Sequence, residues 1–162
     1  MKNRLFGIGV LAALCGVSTM AGAQTCAAPL PIQSNSTKNG NTCSAPTGTG
    51  SNSLSSYGGT PSPQNEIVYS FVAQSANATI AVTDPGSMGA AVFLMPSPCS
   101  TSTDPIQFGF AGTPMPVNTL TNGQTYYVII TADPAGPAGA CGAYTLTVNG
   151  ILPVSLQKFS VE

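Results

Sequence analysis

An all-β chain, folded as a small antiparallel sandwich, stapled by disulfides and preceded by a signal peptide, is what this 162-residue sequence predicts. Three observations predict it. Short apolar runs, either alternating with period two or rich in β-branched and aromatic residues, recur between clusters of Gly, Pro, Asn and Asp. Beyond the N-terminus, no stretch of about ten residues or more carries a helical period. Four cysteines, Cys26, Cys43, Cys99 and Cys141, remain once the leader is set aside, an even number that points to two bridges.

The leader has the three parts of an export signal: Lys2 and Arg4, an apolar run from Leu5 to Val17, and the small residues Ala21, Gly22 and Ala23 before a cleavage point at Gln24. The apolar run is about 13 residues, whereas a helix spanning a bilayer needs about 20, so no membrane span is expected. The expected location is secreted or periplasmic. Cys15 follows Leu14 where a lipid-attachment signal wants a small residue, so a lipid anchor is not expected. Removing residues 1–23 leaves Lys38 and Lys158 against five acids, too few cations to neutralise a run of phosphates. Nucleic acid is therefore excluded as a partner.

Residues 24–63 read as a loop-rich segment of Ser, Thr, Asn, Gly and Pro, with a short strand near Cys43. From Glu66 the pattern changes. Ile67, Tyr69 and Phe71 share one face of a strand, with Val68 and Val72 on the other. Ala78, Ile80 and Val82 alternate in a second strand that stops at Asp84-Pro85-Gly86. Ala90 to Met95 forms a third, ended by Pro96 and Pro98, and Ile106 to Phe110 a fourth that Gly109 interrupts. Asn122-Gly123 then turns the chain into Thr125 to Thr131, the strongest β run of the sequence, and Tyr144, Leu146 and Val148 alternate in the last strand of the 64–150 unit. Two sheets, each hiding one apolar face, accommodate this spacing.

Of the three disulfide connectivities open to four cysteines, Cys26 with Cys43 and Cys99 with Cys141 is favoured. The first pair closes a short loop and the second ties turns that flank strands. The second is expected to matter more for stability, because Cys141 enters a core strand.

The succession Asn65 to Phe71, Ala78 to Val82, Ala91 to Leu94, Leu120 to Val128 and Cys141 to Val148 resembles the bacterial pre-peptidase C-terminal domain over about residues 64–150. The segment Leu120-Thr121-Asn122-Gly123-Gln124-Thr125-Tyr126-Tyr127-Val128 carries most of the likeness. The resemblance implies a jelly-roll-like sandwich that serves as an accessory to secreted hydrolases. Residues 151–162 alternate again, with Leu152, Val154 and Leu156 in phase; they read as one more edge strand, and are also similar to the short strand that precedes C-terminal sorting domains in some secreted bacterial proteins.

Histidine is absent, so neither a Ser-His-Asp nor a Cys-His arrangement can be built, and the imidazole metal ligands are missing too. No catalytic residue is assigned. Paired carboxylates, as in glycosidases, are the surviving catalytic chemistry, with Asp84, Asp104 and Asp133 as its candidates. Each precedes a proline, where the ordinary role is an Asx turn. The same three aspartates are candidate ligands for calcium, which the family resemblance suggests more than any spacing does, since no Asp-x-Asp-x-Asp-Gly loop is present; no cofactor is otherwise expected. Tyr57 and Tyr127 are the candidate carbohydrate-stacking residues, while Tyr69, Tyr126 and Tyr144 lie in phase with core positions. The expected function is a non-catalytic module that binds or builds outside the cytoplasm, with a polysaccharide or cell-surface component as candidate partner.

Overall fold

The computed structural model describes residues 25–33, 35–45, 56–57, 60–61, 64–86, 88–100 and 103–150. The expected signal peptide (1–23) and C-terminal strand (151–162) lie outside the described residues. Among those described, the strands are β1 (Leu30–Pro31), β2 (Ser36–Asn41), β3 (Ser56–Tyr57), β4 (Thr60–Pro61), β5 (Ile67–Val72), β6 (Ala78–Thr83), β7 (Ala90–Pro96), β8 (Gln107–Phe110), β9 (Met115–Val117), β10 (Thr125–Ala132) and β11 (Ala143–Asn149). A short 3-10 turn, Thr42–Ser44, follows β2.

Two sheets form the sandwich. One has five strands in the order β1-β5-β10-β7-β8, the other four in the order β2-β11-β6-β9, and β3 with β4 makes a separate short pair. All pairings are antiparallel except β1 with β5. The central strand β10 sets the register of the larger sheet, with Val128 opposite Tyr69 on one side and Leu94 on the other. Gly123, at φ +82°, makes the turn that feeds it, a left-handed conformation that an L side chain resists. β9 is not among the strands expected from the sequence, and it contains Pro116. It lies at the edge of its sheet, paired among the described residues with β6 alone, where proline costs no ladder bond on the open side.

The main core lies between the sheets. Ile67, Tyr69 and Phe71 of β5, Val128 and Ile130 of β10, and Val92 and Leu94 of β7 meet Ile80 and Val82 of β6 and Tyr144, Leu146 and Val148 of β11. A hydrogen bond between the Tyr69 and Tyr144 hydroxyls, 2.8 Å, bridges the two layers in this apolar setting. Burial raises both phenol pKa values from their ordinary range. The Tyr144 ring lies over Gly40 of β2, where any Cβ would overlap the phenol.

The cysteines pair as Cys26–Cys99 and Cys43–Cys141, not in the favoured sequence-neighbour arrangement. The expected ranking of the two bridges falls with that pairing. Strand pairing decides the outcome: β2 lies antiparallel to β11 with Asn41 opposite Ala143, and the Thr42 N–H donates to Gly142 O at 2.9 Å, which delivers Cys43 to Cys141. Likewise β1 runs beside β5, and Cys26 packs with Cys99 against the outer face of the five-stranded sheet. Loop-closure entropy varies only logarithmically with length, so the shortness of the 26-to-43 segment gives its closure little advantage.

Candidate functional site

Asp84, Asp104 and Asp133 carry most of the candidate chemistry that the sequence suggests. Asp84 follows β6 and is spent on backbone: Oδ1 accepts from Gly86 N–H at 3.0 Å, and Oδ2 from Gly89 N–H at 2.7 Å and Ala90 N–H at 3.2 Å. Asp133, just after β10, accepts from Ala135 N–H through Oδ1 at 2.9 Å. Both border Gly89, since a Cβ built there would lie 3.5 Å from Asp133 Cβ. Asp104 stands apart, exposed in the turn before β8. Among the described residues no group of three or more His, Cys, Asp or Glu side chains is placed to hold a metal ion.

Tyr127 is half-buried on the outer face of the five-stranded sheet, packed against the cluster of Val68, Ala91, Phe93, Met95 and Ile129. Tyr57 lies in β3, and its side chain is outside the described residues. Tyr126 turns inward, stacks on Phe71 with centroids 5.7 Å apart, and accepts the Thr121 N–H at 2.9 Å through its hydroxyl.

What sequence reasoning misses is an aromatic edge. In β8 the half-buried positions are Gln107 and Gly109, and the exposed ones are Phe108 and Phe110. Phe108 is 39% and Phe110 44% exposed, and Ile106, two residues before Phe108, is 39% exposed. Phe108 stacks on the buried Phe93 of β7, centroids 5.9 Å apart, and meets Phe110 edge-on at 6.0 Å. Phe110 stands between two cavities. One, about 310 Å³, runs between β8 and residues 113–116; the other, about 200 Å³, is walled by Phe93, Phe110, Asp133, Pro134 and Ala135. The sequence signal is present in the alternation Ile106, Phe108, Phe110, but alternation alone does not say which face points to water.

The other sheet edges differ from β8. β2 carries Lys38, β1 ends on Pro31 and β9 holds Pro116, each a device that discourages addition of a further strand. β8 carries neither charge nor proline. Phe110 O accepts from Thr113 N–H at 3.3 Å, which ties the strand end to the following turn without covering the rings.

The two disulfides fit an oxidising compartment outside the cytoplasm, and no helix among the described residues is long and apolar enough to cross a membrane. No protein-family model matches the chain, and no curated protein matches it. Among solved structures it is similar to the pre-peptidase C-terminal domain of a collagenase from Bacillus anthracis, at 21% identity and TM-score 0.47 over 75% of this chain and 94% of that one. It is also similar to a periplasmic inhibitor of g-type lysozyme from Aeromonas hydrophila, at 14% identity and TM-score 0.50 over the same shares of the two chains. At such identities the likeness is one of fold, and the fold this chain shares with the Aeromonas protein is an all-β one.

Proposed function

We propose that this chain is a non-catalytic β-sandwich that binds a macromolecular partner outside the cytoplasm, and that the partner seats on the aromatic edge around β8. One observation carries the proposal: Phe108 and Phe110 are held outward in a stacked array beside two cavities, on the sheet edge that lacks a charge or a proline. Soluble monomers tolerate single exposed apolar side chains, but a contiguous exposed cluster next to concave surface is the ordinary mark of a binding site. The missing histidine and the engagement of both Asp84 oxygens with backbone N–H groups support a non-catalytic role. An accessory role to a secreted hydrolase, as the sequence resemblance implies, is one form of the same function.

Calorimetry of the mature chain against soluble polysaccharides, peptidoglycan fragments, calcium chloride and lysozyme tests this. Lysozyme enters the panel because the Aeromonas protein is named as an inhibitor of one. The expected result is binding to at least one macromolecule that is lost in Phe110→Ala. Binding that survives both Phe108→Ala and Phe110→Ala, or calcium as the only ligand, overturns the assignment of the edge. Turnover of a glycoside panel that disappears in Asp133→Asn overturns the non-catalytic role.

A further inference from the structure

The chemistry around Phe110 narrows the partner, on the assumption that the edge is the binding site. Asp133 lines the 200 Å³ cavity together with the rings of Phe93 and Phe110. Its Oδ1 is occupied by the Ala135 N–H, while Oδ2 receives no donor from the described residues. This separates it from Asp84, whose two oxygens are both engaged. Asp104 is exposed two residues before Ile106, so the apolar edge has an acid at each end. No described cation balances them: among the described residues the one Lys or Arg is Lys38, on β2 of the other sheet.

We infer that the partner is a basic polypeptide segment, with an arginine side chain laid across Phe110 and bonded to Asp133, and neighbouring apolar side chains resting on Phe108 and Ile106. Guanidinium suits the site on both counts. It is attracted by the face of an aromatic ring, and its planar donors match a carboxylate oxygen in a charge-assisted bond. A cavity with one open carboxylate oxygen and aromatic walls offers a neutral sugar fewer hydrogen-bond partners than a sugar presents. A purely apolar segment would leave Asp133 desolvated without a counter-charge, which is costly.

Amide chemical-shift titration of the isotope-labelled mature chain reads this directly, because it locates weak binding as well as detecting it. The probes are an acetylated hexapeptide of alternating leucine and arginine and its isosteric counterpart with citrulline, which keeps the shape and removes the charge. Expected are shifts confined to residues 106–110 and 133–135, with the arginine peptide binding at least about tenfold more tightly than the citrulline one. Asp133→Asn, which retains an acceptor for the Ala135 N–H, abolishes that difference at an unchanged melting temperature. Equal binding of the two peptides, or a difference that persists in Asp133→Asn, overturns the basic partner while leaving the edge as the site. Absence of shifts at residues 106–110 with either peptide overturns the inference, and ligand binding elsewhere in the calorimetric panel then decides the fate of the edge separately. Concentration-dependent shifts at β8 without any peptide, lost in Phe110→Ala, make the occupant a second copy of this chain and overturn it too.

Discussion

The outer faces of the two sheets are built on opposite principles. On the four-stranded sheet Thr79 and Thr83 of β6, Thr145 and Thr147 of β11, and Thr37 and Asn39 of β2 lie on the outer face, and the β2 and β11 side chains hydrogen-bond across the strands: Thr145 Oγ1 donates to Asn39 Oδ1 at 2.9 Å, and the Thr37 and Thr147 hydroxyls are 3.4 Å apart. On the five-stranded sheet the corresponding positions are Val68, Ile129, Phe93, Ala91 and Met95, each at most 1% exposed and capped by the Cys26–Cys99 bridge and Tyr127. The first sheet is half-buried and its strands alternate. The second is buried on both faces through most of its width, and its strands read as continuous apolar runs. The aromatic edge lies where that covering stops, as the outer apolar layer continues past β7 onto β8 and reaches solvent at Phe108 and Phe110.

Removing the disulfides one at a time separates the two faces most strongly. The closed loops are of similar size, with sequence separations of 73 and 98 residues, so the chain-entropy contribution of each is about 4.5 kcal/mol and does not tell them apart. What differs is the surface each one covers. Replacing Cys26 and Cys99 by serine is expected to lower the melting temperature and to create strong binding of a hydrophobic dye, because the outer cluster loses its cap. Replacing Cys43 and Cys141 is expected to lower stability comparably with little added dye binding, since that bridge ties β2 to β11. Equal dye responses in the two variants would show that the outer cluster does not depend on the 26-to-99 bridge.

A smaller effect comes from truncating one residue on each face. Ile129→Ala leaves a cavity in a closely packed outer layer and is expected to cost about 2–5 kcal/mol. Thr147→Ala removes one exposed hydroxyl whose partner is 3.4 Å away and is expected to stay within about 0.5 kcal/mol. Denaturant unfolding of the two variants measures both. A loss at Thr147 as large as that at Ile129 would mean that the threonine face is covered in the folded protein.

The same contrast explains what is legible in the sequence. β5, β6, β10 and β11 are visible within a residue or two, because alternation or β-branched runs bounded by Asp84-Pro85-Gly86 and Asn122-Gly123 are local signals. β1 and β9 are not visible, since strands of two and three residues containing Pro31 or Pro116 exist only by virtue of their neighbours β5 and β6. The disulfide pairing is hidden for the same reason: it follows from β2 lying beside β11 and from Cys26 crossing the outer face. The aromatic edge is hidden because β8 inverts the usual order, putting Gln107 and Gly109 on the core side and the phenylalanines outside. Gly109 leaves that side of the strand without a large apolar side chain to mark it in the sequence; a Cβ there would make ordinary contact with Met115 and Val92 at 3.5–3.7 Å.

Those wet and dry faces contrast with the Tyr69–Tyr144 hydroxyl bridge, which joins the layers through the core. Tyr144→Phe strands the buried Tyr69 hydroxyl and is expected to cost about 1–3 kcal/mol, whereas Tyr69→Phe combined with Tyr144→Phe removes both partners and is expected to recover most of that loss. The pair also carries a pH signature. Burial raises both phenols, so the folded state holds these protons where the unfolded chain, with ordinary values of about 10, releases them. A group that binds its proton more tightly when folded contributes stability that is fully present below the unfolded pKa and is lost as pH rises above it. Melting temperatures should therefore fall more steeply above about pH 10 in the natural chain than in the double variant. Parallel curves for the two would mean that the phenols reach solvent before they ionise, and that the bridge opens without unfolding the sandwich.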